Sequence, residues 1–160
     1  MLSGSKLFLV CPFSCMESFI HEKYGDNIFF ITAMASVFQF QQENDLDFIK
    51  DFIKRENVTE IFIVTDTSCR FINSILKKEK GFGTKAENII QNLLLKNFSK
   101  FIQHKSLIEQ RKYLATLIIR HQAQEVMKPE LFLQQIFENK INLRGLITTK
   151  GNNEIIELKF

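Results

Sequence analysis

The sequence predicts an α/β fold with a mainly parallel sheet of about four strands, an antiparallel edge strand and flanking helices. Three observations carry the prediction. Short runs apolar on both faces recur along the first 65 residues, as strands buried in a parallel sheet require. Amphipathic helical segments separate or follow them, which calls for right-handed crossovers. Two alternating runs about a glycine and asparagine turn close the chain, as in a hairpin.

Element by element, Leu7-Phe-Leu-Val-Cys11 is wholly apolar and ends at Pro12, which makes it the first strand. Gly25-Asp26-Asn27 punctuates the chain before Ile28-Phe-Phe-Ile-Thr32, a second buried strand. Between Glu43 and Arg55, Leu46, Ile49, Phe52 and Ile53 recur at helical spacing with Asp and Lys opposite. Asn57 then leads into Ile61-Phe-Ile-Val-Thr65, the third strand, and Asp66-Thr-Ser68 offers capping residues for a helix through about Leu76. The stretch from Lys77 to Lys85 reads as a solvated loop. Its Gly81-Phe-Gly-Thr84 lacks the Walker pattern and does not directly follow a strand. Helical periodicity returns over Glu87 to Phe101 and Ser106 to Val126, and Pro129 starts a helix ending near Asn139. The hairpin pairs Ile141 to Thr149 with Glu154 to Lys159.

Composition narrows the function classes. The length suits one domain over residues 1–160. A hydrophobic share of 45% excludes disorder, and a net charge of +3, scattered along the chain, gives no footprint for nucleic acid. Three cysteines form no even framework, so a reducing cytoplasm is expected. Met1-Leu-Ser-Gly-Ser-Lys6 shows no signal-peptide pattern, and no apolar run approaches the ~20 residues that cross a bilayer. A soluble protein with no membrane partner is expected. The 17 phenylalanines, with no tryptophan, point to a compositional bias rather than a function.

In open parallel sheets, ligands bind beyond the carboxyl ends of the strands where the winding reverses, which singles out Cys11 and Asp66-Thr-Ser-Cys69. Two thiols and a carboxylate there would offer donors for a borderline cation such as zinc, with Cys15 as a possible fourth ligand. Each residue also has a plainer reading. Cys11 fits a buried small hydrophobe, Asp66 a helix cap, and Cys69 a thiol acidified at a helix N-terminus. His21, His104 and His121 are widely separated and match no metal spacing. Ser14 and Ser18 lack a nucleophile elbow.

Cys11-Pro-Phe-Ser-Cys15 and Asp66-Thr-Ser-Cys69 resemble the β-class carbonic anhydrases, whose first strand ends in Cys-x-Asp-Ser-Arg and third in His-x-x-Cys. The likeness runs from Leu7 almost to the end and includes Gly25-Asp26 and the Gly145 strand. It implies zinc as cofactor, with Cys11 and Cys69 at the thiolate positions and Asp66 at that of the histidine ligand. Phe13 stands where the family has an aspartate, and Cys15 where it has the arginine paired with that aspartate. Phenylalanine has no acceptor and a thiol offers no guanidinium fork, so the catalytic dyad is missing. Two thiolates with a carboxylate would also leave the metal less able to acidify water, and Cys15 could close its coordination altogether. The resemblance therefore implies a pseudoenzyme that no longer hydrates CO2. The alternatives are an active zinc-dependent lyase or hydrolase on Cys11, Asp66 and Cys69, and a regulatory module whose cleft of Phe13, Met34 and Phe38 takes a small ligand. A first strand starting almost at Met1 leaves no room for the helical arm by which the family packs on a partner subunit. A homodimer is nonetheless expected, from the apolar surface so Phe-rich a chain would expose.

Overall fold

The computed structural model describes residues 4–38, 43–128, 138 and 140–160, and of residues 43–46 the backbone alone. Five strands form one sheet: β1 (Ser5–Val10), β2 (Ile28–Thr32), β3 (Val58–Asp66), β4 (Asn142–Thr149) and β5 (Glu154–Lys159). Their spatial order is β2-β1-β3-β4-β5, with the first four parallel and β5 antiparallel to β4. Both predicted features, the parallel body and the antiparallel edge, are present.

Period-two alternation divides the strand side chains between two cores. Leu7, Leu9, Ile61, Ile63, Leu143 and Ile147 face the larger one, which α6 (Leu107–Met127) covers with Leu114, Ala115, Ile118 and Ile119. Phe8, Val10, Phe62, Val64 and Leu146 face the smaller one, under α1 (Glu17–Tyr24). There the Phe8 and Phe62 rings stack at 4.7 Å between centroids, and Tyr24 tilts against both. The larger core also takes Ile53 of α2 (Glu43–Arg55), Phe71 and Ile72 of α3 (Arg70–Leu76), and Ala86 and Ile90 of α4 (Lys85–Lys96).

Several boundaries differ from the sequence expectation. Cys11 lies just past β1, at the start of a 3-10 turn over Pro12–Ser14. Helix α1 was not expected, because only Phe19, Ile20 and Tyr24 face inward and Met16 opens it without a side-chain cap. Packing against the sheet stabilises it instead. The helix expected over Glu87 to Phe101 is two helices, α4 and α5 (Phe98–Phe101). Asn97 separates them, its side-chain amide donating to the Leu93 carbonyl at 2.8 Å. The helix expected to start at Pro129 lies outside the described residues, as does the side chain of Leu46.

Candidate functional site

Strand order places the reversal of winding between β1 and β3, and residues just past their carboxyl ends meet there. Cys11 and Cys69 are both 2% exposed, lie in the same core and act on each other electrostatically, with no disulfide between them. The Cys11 sulfur also accepts from the Ala35 backbone N–H at 3.2 Å. Ala35 and Ser36 hold left-handed backbones at φ 55° and 56°, an uncommon conformation for residues with a Cβ. The Ser36 hydroxyl donates to the Val64 carbonyl at 2.7 Å and fixes this loop on β3.

The two thiols are shifted in opposite directions. The hydrogen bond from Cys69, helped by the Phe13 and Ala35 backbones and the Ser14 side chain, outweighs burial and brings the Cys11 thiol down to about 6. Bonding to Cys11, together with burial, pushes the Cys69 thiol up. Cys11 is therefore the acidic member, with Cys69 as the donor.

Asp66 stands apart from this pair. It is the last residue of β3, and alternation turns it with Phe62 and Val64 toward the α1 side of the sheet. One carboxylate oxygen accepts from the Ser68 backbone N–H at 2.8 Å and from the Ser68 hydroxyl. The other accepts from the Thr148 hydroxyl at 2.7 Å and the Lys150 backbone N–H at 3.0 Å. Four donors match the roughly four acceptor positions a carboxylate has, and the residue is 1% exposed. Asp66 braces the turn after β3 and ties it to the end of β4. Helix α3 starts only after Cys69, without a side-chain cap.

Cys15 does not join the thiol pair. It is exposed, with a left-handed backbone at φ 48°, and its thiol lies 3.9 Å from the Pro12 carbonyl. Its own carbonyl accepts from the Lys150 ammonium at 3.0 Å. Among the described residues no three His, Cys, Asp or Glu side chains are gathered closely enough to hold a metal ion. A catalytic zinc takes three protein ligands and an open position, and among the described residues the thiol pair has no third such side chain gathered beside it.

Around the pair the surface is aromatic. Phe13, 54% exposed, meets Phe71 edge-on at 5.8 Å, Phe71 meets Phe82 at 6.1 Å, and the Arg70 guanidinium lies 5.0 Å from the Phe82 ring. Met34 is exposed as well. Phe38, expected in the same cleft, is instead buried in the larger core, with its backbone N–H donating to Gln122 at 2.8 Å. Sequence reasoning missed Ala35, Phe71, Phe82, Thr148 and Lys150, whose roles depend on neighbours distant in the chain.

The remaining motifs have structural roles. His21 pairs with Asp26 at 3.1 Å, His104 stacks on Tyr113, and burial lowers the His121 pKa. The glycine loop before α4 places the Phe82 and Thr84 N–H groups on the Glu87 carboxylate, at 2.8 and 2.7 Å.

No protein-family profile and no curated protein matches the sequence. Solved structures do match the fold. One of two tetrameric β-carbonic anhydrases from the filamentous ascomycete Sordaria macrospora superposes with a TM-score of 0.81 at 16% identity, over 97% of this chain and 80% of that one. The β-carbonic anhydrase CafA of Aspergillus fumigatus gives 0.81 at 20%, over 97% and 75%. The Coccomyxa β-carbonic anhydrase in complex with acetazolamide gives 0.75 at 14%, over 97% and 72%. The chain has the β-carbonic anhydrase fold.

Proposed function

We propose that this chain is a β-carbonic-anhydrase-like protein that does not hydrate CO2, its site reduced to a thiol pair beneath an aromatic mouth. The saturated carboxylate of Asp66 carries the reading: with both oxygens occupied, it cannot reach a metal on the thiols without breaking the brace between β3 and β4. Phe13 and Cys15 add to it, since neither supplies the acceptor or the guanidinium that the resemblance leads one to look for. A zinc ion would find Cys11 and Cys69 as its protein donors and would need Cys15 or an outside ligand to complete a tetrahedron. Two thiols alone do not fit a catalytic zinc.

The exposed Phe13, Met34 and Phe82 around the thiols favour a second reading, a binding module for a small apolar ligand. The three free thiols agree with a reducing, cytoplasmic location, and the apolar surface agrees with a homodimer. No described helix is long and apolar enough to cross a membrane.

The deciding experiment combines elemental analysis with stopped-flow CO2 hydration, on protein purified without chelators and then loaded with zinc. The expected outcome is a rate equal to that of buffer, with less than one zinc retained per chain after desalting. Zinc-dependent hydration abolished by Cys11→Ser would overturn the proposal and restore the active-lyase reading. Ligand binding is read separately, as a rise in Tm without turnover.

A further inference from the structure

We infer that residues 95–108, which run from the end of α4 through α5 into the first turn of α6, dock this protein on an anionic lipid bilayer. The segment lies at the headgroups without spanning the membrane. The sequence expectation of no membrane partner rested on the lack of a spanning run, whereas it is the fold that exposes this surface. Of the ten large apolar side chains exposed among the described residues, five belong to it: Leu95, Phe98, Ile102, Leu107 and Ile108. Exposed apolar residues scattered singly are ordinary, but a cluster marks a contact surface.

Local structure aligns them. Leu95, Phe98 and Ile102 recur at i, i+3 and i+7, the spacing of one helical stripe. The backbone keeps that path across Asn97, whose N–H donates to the Leu93 carbonyl at 3.2 Å and whose carbonyl accepts from the Phe101 N–H at 2.9 Å. The Phe98 and Phe101 rings stack at 6.2 Å. Leu107 and Ile108 follow across a short turn, held by the Gln110 side chain donating to the His104 carbonyl at 3.0 Å. Helix α5 packs against α4 and α6, outside the helix that covers the sheet, so this surface is a ridge of the outer layer.

Charge points to the occupant. Residues 88–108 contain no acidic side chain, while Lys96, Lys100 and Lys105 are all exposed. None of the three forms an ion pair among the described residues. The acidic residues that bound the stretch, Glu87 and Glu109, are both held in the capping boxes of their own helices. Lys96 and Lys100, one turn apart, run beside the apolar stripe. Lysine is depleted in interfaces between proteins, which argues against a protein occupant. Lysines flanking exposed Phe, Leu and Ile are instead the composition of a segment lying in a membrane interface. The apolar side chains enter the acyl boundary, and the long lysine stems leave their ammonium groups with the anionic headgroups.

The test is flotation of the full chain with vesicles of equal parts phosphatidylserine and phosphatidylcholine, and with vesicles of phosphatidylcholine alone. Wild type is expected to float with the first and not with the second, and to be released by high salt. Phe98→Ser/Ile102→Ser should no longer float. Lys96→Gln/Lys100→Gln/Lys105→Gln should bind roughly 100-fold more weakly. Phe48→Ser, which alters an exposed ring on α2, should float as wild type does. The chain has no tryptophan, so Phe98→Trp supplies a lone reporter whose emission should shift to the blue when the anionic vesicles are added. Wild type that does not float with the anionic vesicles, or floats equally with both kinds, overturns the proposal. So does flotation that the Phe98→Ser/Ile102→Ser variant retains, or Phe98→Trp emission that does not move. Sedimentation velocity without lipid separates the other occupant: a mass that Phe98→Ser/Ile102→Ser halves would make this a contact between copies of the chain and overturn the membrane assignment. None of these results bears on CO2 hydration.

Discussion

Asp66 shows how one residue's surroundings decide its chemistry. Its position after an apolar strand, three residues before a cysteine, makes it a candidate ligand, yet its oxygens are occupied by Ser68, Thr148 and Lys150. Asp66→Asn replaces one acceptor oxygen with a donor and leaves buried donors facing it. Stability should fall by about 2 kcal/mol, the usual cost of an unsatisfied buried polar group. Chemical denaturation checks this, and an unchanged midpoint would mean that the brace contributes nothing. A residue-scale signal was present in the sequence: alternation from Phe62 and Val64 puts Asp66 on their face, away from the thiols. What could not be read is which donors wait there, because two of them come from 82 and 84 positions further along the chain.

At the scale of elements, α4 begins with a reciprocal capping box between Thr84 and Glu87. Burial pushes the Glu87 carboxyl up, but the donors on Thr84 and Phe82 outweigh it, and the group ends below its ordinary value of 4.5. A carboxyl depressed in the folded state stabilises fully above its unfolded pKa, and that contribution is lost as pH falls through the folded value. The Tm advantage of wild type over Glu87→Gln should therefore be constant near neutrality and shrink below pH 4.5. A gap that widens on acidification would contradict the assignment. The long helices were legible because their apolar positions keep a 3.6-residue period. Helix α1 was not, since eight residues with few inward-facing apolar side chains give no local signal and rely on the sheet for packing.

For the whole molecule, the spacing between sheet and helices rests on Gly145. A Cβ built there would lie 2.3 Å from Ile119 Cγ2 of α6, and 3.3 Å from Leu158 and Phe160 on the β5 side. Gly145→Ala should destabilise by roughly 1–3 kcal/mol, the range for overpacking a filled core. The denaturation midpoint should drop while the slope with denaturant stays the same. A midpoint at the wild-type value would show that α6 moves away from the sheet without cost.

By itself the sequence determined the strands, their parallel winding, the closing hairpin and the residues at the carboxyl ends of β1 and β3. Apolar runs and their periods report how each segment is buried, and burial pattern decides element type. Only the tertiary structure decided what those residues do. It buried Cys11 and Cys69 in one core, closed Asp66 with four hydrogen bonds, left Cys15 and Phe13 exposed, and set Phe71 between two surface rings. Whether a side chain is saturated, paired or open depends on neighbours brought in from elsewhere in the chain, and no local period encodes them.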